Sequence, residues 1–313
     1  MTTAETRQTP VPEATPEWQV DQSSGLSEGM GSYRFALFFL ALYFIRPQDW
    51  VPGLEGFNII RPIIFGWVLV LMSQGDFQSL KDWFRSPHDW VVAAFYFYVW
   101  WYAPAEAEAG KGMFVVAVFY FLTANALRNA DQMLGYLKMW NACLVVVASF
   151  GVLQTLGLDI TNGKHYTEMM LGRLCIGTWL ANNPNALGHT VAVAVPLSYL
   201  LYFWRGSALG RMFIFPFCTG VAGWCAWLTE SKGSFLVAAA LCVLIFVIGR
   251  PRWVQIIALG LALSLGVGAL SFLPRMEQMG NLRADEGVMG RLLAWEKARD
   301  AMDLNPNGVG WRQ

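Results

Sequence analysis

Cationic side chains that could bind a phosphate group lie in three short polar segments of an otherwise apolar chain. Arg173 belongs to the first segment, Lys232 to the second and Arg291 to the third. A guanidinium presents a rigid fork of N–H donors that matches phosphate oxygens, whereas a lysine ammonium presents a compact charge. These residue types predict an anion-binding site if the fold brings the three segments together.

The first segment continues into Asn183-Pro184-Asn185, directly before an apolar run. An Asn-Pro pair favours a turn, and Asn185 is predicted to cap the helix that follows, where backbone N–H groups favour an anion. His189 lies one helical turn after Asn185, so the two side chains should share one side of that helix. Both are candidate substrate-binding residues, although a helix cap and a packing histidine explain the same pattern.

The second segment, Thr229 to Gly233, is so short that its flanking helices must be adjacent and antiparallel. A charge close to hydrocarbon is costly unless it is paired or lines a polar cavity. Lys232 is therefore a candidate catalytic residue. An ordinary charge at the membrane interface is the alternative.

In the third segment, residues 288 to 304 favour an external amphipathic helix near the C-terminus. Arg291, Trp295 and Arg299 are spaced at i, i+4 and i+8, which places them on one face. Arg291 is the candidate catalytic residue of this segment. By spacing alone, a solvated helix face explains the same residues.

Two further arginines, Arg46 and Arg61, bracket a short polar loop and are candidate ligands for the same anion. Asp49 in that loop could serve as a general base, although most such carboxylates are merely solvated.

Common signatures of metal and cofactor sites are missing from the sequence. It has no GxxxxGKS/T, HExxH or DxD motif, and its three histidines and five cysteines do not cluster at ligand spacing. We expect neither a metal ion nor a cofactor. An external enzyme would then need an already activated substrate, such as a lipid diphosphate.

The elements that must position these residues are apolar helices. Of the 313 residues, 55% are hydrophobic and 14% are charged, against roughly a quarter charged in soluble proteins. Nine apolar runs, most of them long enough to cross a membrane, predict an all-α polytopic transmembrane helical bundle of about nine spans. The runs lie near residues 34–45, 57–73, 89–104, 112–127, 137–157, 185–204, 212–228, 233–249 and 253–273.

The chain divides into three regions. Residues 1–33 predict a disordered cytoplasmic tail, residues 34–273 a transmembrane domain, and residues 274–313 the start of a periplasmic loop. Alternate loops carry eight and six Lys and Arg residues, and the positive-inside rule then puts the N-terminus in the cytoplasm and all three polar segments outside. The zero net charge argues against a nucleic-acid partner, whereas membrane lipids are expected partners.

Taken together, the three segments resemble the O-antigen ligase and O-antigen polymerase family of bacterial inner-membrane proteins. The matching motifs are Gly172-Arg173 with Gly177 and Asn183-Pro184-Asn185-Ala186; Thr229, Ser231, Lys232 and Gly233; and Gly290-Arg291, Trp295, Ala298, Pro306, Gly308 and Gly310. The resemblance covers about residues 140 to 313 and depends on the order and spacing of the motifs.

The resemblance implies a metal-independent glycosyltransferase in the bacterial inner membrane. Such an enzyme moves a glycan from a polyprenyl-diphosphate carrier onto a lipid or protein acceptor at the periplasmic face. Carried over, Arg173, Lys232 and Arg291 would hold the diphosphate and stabilise the charge on the leaving group. Ligase and polymerase activity both stay open.

Two positions depart from the family pattern. Lys232 stands where the family has arginine, which keeps the charge but loses the fork. The family histidine that is proposed to deprotonate the acceptor follows the Pro306 to Gly310 segment, and the chain ends three residues after Gly310. We therefore expect a C-terminally truncated, inactive or incomplete protein.

Two other functions fit parts of the sequence. A transporter for a small anion would use the outward arginines as an ion path and should show charged or broken helices near mid-span. A different polyprenol-dependent glycosyltransferase would use Asp49, which would then have to face a cavity.

Overall fold

The computed structural model describes residues 30–54, 57, 59–73, 84, 86–102, 108–158, 167–170, 172–177, 181–204, 206–247, 250–270 and 286–304, which are mostly helical. The α-helices are α1 Met30–Ile45, α2 Pro47–Trp50, α3 Ile60–Ser73, α4 Pro87–Tyr102, α5 Glu108–Ala126, α6 Ala130–Thr155, α7 Pro184–Ala192, α8 Ala194–Ser198, α9 Phe215–Leu228, α10 Lys232–Val247, α11 Arg252–Leu270 and α12 Glu286–Leu304. Two π-helical segments, π1 Tyr199–Trp204 and π2 Gly210–Ile214, and two strands, β1 Thr167–Met170 and β2 Arg173–Ile176, complete the fold.

Each of the nine predicted apolar runs coincides with a helix in the described part of the chain. Three helices are long and apolar enough to cross a membrane, namely Ala130–Thr155, Pro184–Trp204 and Gly210–Leu228. The mostly helical character is confirmed, and these three helices indicate a membrane protein. The count of about nine spans stays a prediction. Helix α1 begins at Met30, four residues before the predicted run, and the rest of the predicted tail, residues 1–29, lies outside the described residues.

The antiparallel hairpin formed by β1 and β2 was not predicted from the sequence. Met170 pairs with Arg173, and Gly172 in the connection has a φ of +79°, a left-handed conformation that favours glycine. Leu174, Cys175 and Ile176 of β2 are buried, so apolar packing holds this strand in place. The hairpin adds a small β element to the fold predicted as all-α.

Helices α6, α7 and α9 form the core against which β2 packs. The buried cluster consists of Val147, Ala148, Leu174, Ile176, Ala181, Leu187, Val191, Cys225 and Ala226. The N–H of Ile176 also donates to the carbonyl of Ala181 at 2.9 Å, which ties the strand to the chain that leads into α7. Arg173, the first residue of β2, is thereby placed at the edge of a helical core.

Helices α1 and α6 are packed side by side in the same direction. Near their amino ends the Tyr33 hydroxyl lies against Gly135. Past the carboxyl end of α1 the ring of Trp50 meets Phe150, five residues before the end of α6, edge to face at 5.6 Å. The residues after α1, including Arg46, therefore lie at the same end of the molecule as the hairpin.

A second buried cluster joins α1 to α3 and α5. Phe39 and Trp67 are almost fully buried in it, and the Trp67 indole N–H donates to the Ser32 hydroxyl at 2.7 Å. Satisfying the indole in this way lets a large polar-edged ring lie inside an apolar core.

Candidate functional site

Arg173 connects the first two polar segments of the sequence. Its Nε donates to the backbone carbonyl of Thr229 at 2.9 Å, and its Nη2 donates to Oδ1 of Asn185 at 2.7 Å. Three chain segments, β2, the start of α7 and the turn after α9, therefore meet at one half-buried guanidinium. The structure brings Arg173, Asn185 and the Thr229 turn together, although 56 residues separate the arginine from Thr229.

The start of α7 explains why Asn185 is available to Arg173. Asn183 has extended backbone angles and its Oδ1 accepts from the N–H of Asn185 at 2.8 Å, while Pro184 occupies the first helical position. The prediction that Asn185 caps this helix is therefore wrong, because Asn183 is the cap. The Asn185 side chain is left to orient the guanidinium.

The turn between α9 and α10 is closed by buried hydroxyl groups. Thr229, Ser231 and Ser234 are all fully buried. The Thr229 hydroxyl donates to the carbonyl of Ala226 at 2.7 Å, and Oγ of Ser231 accepts from the N–H of Ser234 at 3.3 Å. These bonds satisfy backbone groups at the end of α9 and the start of α10. They therefore fix the conformation of the turn whose Thr229 carbonyl accepts from Arg173.

Lys232 is the first residue of α10 and directly follows the buried Ser231. Its side chain is half-buried. Arg173 and Lys232 thus belong to one turn region, since Arg173 donates to Thr229 three residues earlier. The turn therefore carries the carboxylate of Glu230 as well as the ammonium of Lys232, close to the guanidinium of Arg173.

His189 lies on α7 and faces α10. Its Nδ1 is within hydrogen-bond distance of the carbonyl of Asn185 and 3.3 Å from Oγ of Ser234. A carbonyl only accepts, so Nδ1 must carry the hydrogen. In a neutral ring the lone pair then lies on Nε2, which faces Gly233: a Cβ placed on that glycine would stand 3.1 Å from Nε2. Nε2 is thus packed against Gly233 of α10.

Gly188, Thr229 and Ser234 form the closest packing in this region. A Cβ on Gly188 would stand 2.4 Å from Oγ of Ser234 and 2.6 Å from Oγ1 of Thr229. The missing side chain is what lets α7 approach the turn and α10. Sequence reasoning overlooked Gly188 and Ser234, and the available signal was a glycine directly before the candidate histidine.

Arg46 and Asp49 pair with each other at the end of α1. Arg46 has a left-handed backbone, with φ of 51°, and its guanidinium donates to both carboxylate oxygens of Asp49, from Nε to Oδ2 and from Nη2 to Oδ1 at 3.1 Å. The carboxylate that could act as a base is therefore occupied by Arg46. Arg61 is exposed in the first turn of α3. Among the described contacts, neither arginine is joined to Arg173.

Arg291 lies on a separate, exposed helix. The helix predicted over residues 288 to 304 is confirmed as α12, Glu286–Leu304. From residue 289 onward every side chain on it is exposed except that of Ala301, which is half-buried. No hydrogen bond or ion pair joins Arg291 to another described residue, so the structure does not bring it to Arg173 and Lys232. Pro306, Gly308 and Gly310 lie outside the described residues.

Within the described part of the chain, no group of three or more His, Cys, Asp or Glu side chains could hold a metal ion. The polar groups of the site are the cations Arg173 and Lys232, the carboxylate of Glu230, the imidazole of His189, and hydroxyl and amide groups. Such a set can bind an anion and donate hydrogen bonds to it.

Glu230→Gly is expected to stabilise the protein by about 0.5 to 1 kcal/mol, because Glu230 holds a left-handed φ of 47° at which a side chain is strained. Thermal unfolding of the detergent-solubilised protein measures the effect. Glu230→Ala is the matched control, since it removes the charge and keeps Cβ. A glycine variant that melts no higher than the alanine variant would contradict this prediction.

Comparison with family models, curated proteins and solved structures finds no match to this chain.

Proposed function

We propose that this chain is a membrane glycosyltransferase that moves a glycan from a polyprenyl-diphosphate carrier to a lipid or protein acceptor at the periplasmic face of a bacterial inner membrane. The observation that carries the proposal is the guanidinium of Arg173, held by Thr229 and Asn185 at one end of the candidate spanning helices. The O-antigen ligase and polymerase resemblance of the motifs supplies the substrate class.

In the proposed reaction an acceptor hydroxyl oxygen attacks the anomeric carbon of the carrier-linked sugar. The bond from that carbon to the diphosphate oxygen breaks, its electron pair leaves with the diphosphate, and the hydroxyl proton passes to a base. Negative charge therefore develops on the diphosphate as the bond breaks. Arg173 and Lys232 are proposed to stabilise that charge, because fixed cations already in place cost no reorganisation during the reaction.

Asn185 and His189 have supporting roles in this proposal. Asn185 orients the Arg173 guanidinium through its side-chain oxygen, so it is a positioning residue. His189 is proposed to accept a hydrogen bond from a substrate hydroxyl at Nε2, since Nδ1 is engaged by the Asn185 carbonyl. Arg46 and Arg61 are proposed outer ligands of the glycan or the diphosphate, with Arg46 oriented by Asp49.

Arg291 is the third proposed cation and would be supplied by the exposed face of α12 when donor is bound. Its side chain is exposed on α12, which leaves the guanidinium accessible to a phosphate. Arg291→Ala is expected to lower transfer about 100-fold if Arg291 contacts the leaving group. Unchanged turnover in that variant would remove Arg291 from the mechanism.

The direct test is transfer in proteoliposomes by the purified protein, expressed with any coding sequence that continues in frame after Gln313. A polyprenyl-diphosphate-linked oligosaccharide is the donor, and the assay follows both the released polyprenyl diphosphate and the glycan on the acceptor. We expect release and transfer in equal amounts, without added metal. Donor that stays intact in the presence of correctly folded protein would overturn the proposal.

The second candidate function is transport of a small anion, and one observation favours it. In the helix Pro184–Trp204 the winding changes to π at Tyr199, and the fully buried Ser198 donates to Oδ1 of the fully buried Asn141 at 3.1 Å. Irregular winding and buried polar groups inside apolar helices are typical of transport paths. Uptake of a labelled anion into proteoliposomes, without consumption of lipid-linked glycan, would favour transport.

A further inference from the structure

An open groove of about 780 Å³ lies at the end of the helical core opposite to Arg173. Its wall is mainly apolar. It is formed by Leu134, Leu137 and Lys138 of α6, by Leu200, Leu201, Tyr202 and Trp204 of π1, and by Gly206, Ser207, Gly210 and Ile214. Neither the motifs of the sequence nor the proposed transfer reaction uses any of these residues.

The groove is bounded by the three helices that are long and apolar enough to cross a membrane. Helix α6 has 26 residues, a length of about 39 Å against a hydrocarbon layer of about 30 Å. Lys138 lies eight residues after the start of α6, or about 12 Å along it. Tyr202 and Trp204 are residue types that favour the headgroup level. The groove therefore opens where lipid headgroups meet the hydrocarbon.

Basic residues flank the groove. Lys138 is exposed in its wall, and no hydrogen bond or ion pair joins Lys138 to another described residue. Arg211 follows the wall residue Gly210, and its Nε donates to the carbonyl of Phe203 at 2.9 Å. None of the described residues that line the groove is acidic. The groove thus combines an apolar wall with a positive rim.

We propose that this groove binds an anionic phospholipid, with an acyl chain along the apolar wall and the headgroup phosphate at Lys138. A freely dissolved anion would gain no binding free energy from the apolar wall formed by Leu134, Leu137 and Leu200, because it has no apolar surface to bury there. A zwitterionic lipid would gain less from the two cations, because its headgroup carries no net charge. Basic pockets between membrane helices are suited to anionic headgroups for this reason.

Native mass spectrometry of the delipidated full chain tests the proposal with added phosphatidylglycerol and, in parallel, phosphatidylcholine. Phosphatidylglycerol is expected to bind with at least fivefold higher affinity. Lys138→Gln should weaken phosphatidylglycerol binding about fivefold, the effect of one basic residue near a charged headgroup, and weaken phosphatidylcholine binding less. Equal binding of phosphatidylglycerol to Lys138→Gln and the parent chain overturns the proposal.

Two further variants distinguish the contribution of Lys138 to lipid binding from that of nearby charge and from that of the apolar wall. Arg128→Gln is the matched control: Arg128 precedes α6 at the same end of the molecule, does not line the groove, and donates to the carbonyl of Asn125. Arg128→Gln should bind phosphatidylglycerol with the affinity of the parent chain. A loss of affinity as large as that of Lys138→Gln would overturn the assignment of the lipid to the groove. Leu134→Gln changes an exposed wall residue and should weaken both lipids.

Inorganic phosphate is the last arm of the experiment. Phosphate and phosphatidylglycerol are added to separate samples of the parent chain, and the thermal unfolding of each sample is recorded. We expect stabilisation by phosphatidylglycerol alone. Equal stabilisation by millimolar phosphate, lost in Lys138→Gln, would identify a soluble anion as the ligand and overturn the lipid assignment.

Discussion

Gly188→Ala is expected to destabilise the protein by about 1 to 3 kcal/mol, the usual cost of forcing an extra methyl group into a packed core. The new Cβ would stand 2.4 Å from Oγ of Ser234 and 2.6 Å from Oγ1 of Thr229. Both neighbours are fully buried, and the hydroxyl of Thr229 is held by the carbonyl of Ala226. Neither can move away at low cost, so α7 must shift from α10.

The matched control for Gly188 is another helical glycine. Gly220 lies on an exposed part of α9, and a Cβ there would meet no atom within 4 Å. Gly220→Ala should be neutral or stabilising by up to about 1 kcal/mol, because alanine has the higher helix propensity. Thermal and denaturant unfolding in one detergent give both values. Equal stability of the two variants would mean that α7 and α10 are less closely packed than described.

Arg173→Ala is expected to lower glycan transfer by about 100-fold or more, the loss found when one preorganised donor to a developing negative charge is removed. Arg173→Lys should not restore the rate. A single ammonium lacks the planar fork that reaches both the Thr229 carbonyl and Oδ1 of Asn185. Initial rates at saturating donor, measured with proteoliposomes of equal protein content, give the comparison.

An effect of Arg173→Ala on folding must be distinguished from its effect on the transfer rate, because the hydrogen bonds of Arg173 also hold β2. Losing both bonds costs about 1 to 3 kcal/mol of stability, which unfolding experiments measure independently. Arg252→Ala is the control for removing an arginine, since Arg252 is exposed at the start of α11. A folded Arg173→Ala protein that keeps more than half of the parent rate would contradict a role for Arg173 at the diphosphate.

Most helices of this fold were predictable from the sequence because they are runs of apolar residues between polar breaks, whereas α2 and α12 are not apolar. The site was predictable only in part. Composition and motif spacing identified Arg173, Lys232 and Asn185, and the structure shows that Arg173 reaches both Asn185 and the Thr229 turn. A single sequence does not give contacts between residues 56 positions apart, so the partners of Arg173 could not be derived from it.

Other features escaped prediction for local reasons. The strand Arg173–Ile176 is short, and three adjacent buried residues give no alternating pattern that would distinguish a strand from a helix. Asn183 and Asn185 are equally good caps by residue type, and the position of Pro184 in the first helical turn decides in favour of Asn183. For Arg291, the predicted helix is correct and its approach to the other cations stays a proposal.

The hairpin also determines where this chain could tolerate a change in length. Residues added before Thr167 leave the pairing of Met170 with Arg173 intact. A residue inserted between Arg173 and Ile176 would shift Leu174 and Ile176 out of their buried positions or move the guanidinium away from Asn185. We therefore expect related chains to differ in length upstream of this hairpin and to keep a constant spacing from Arg173 to Ile176.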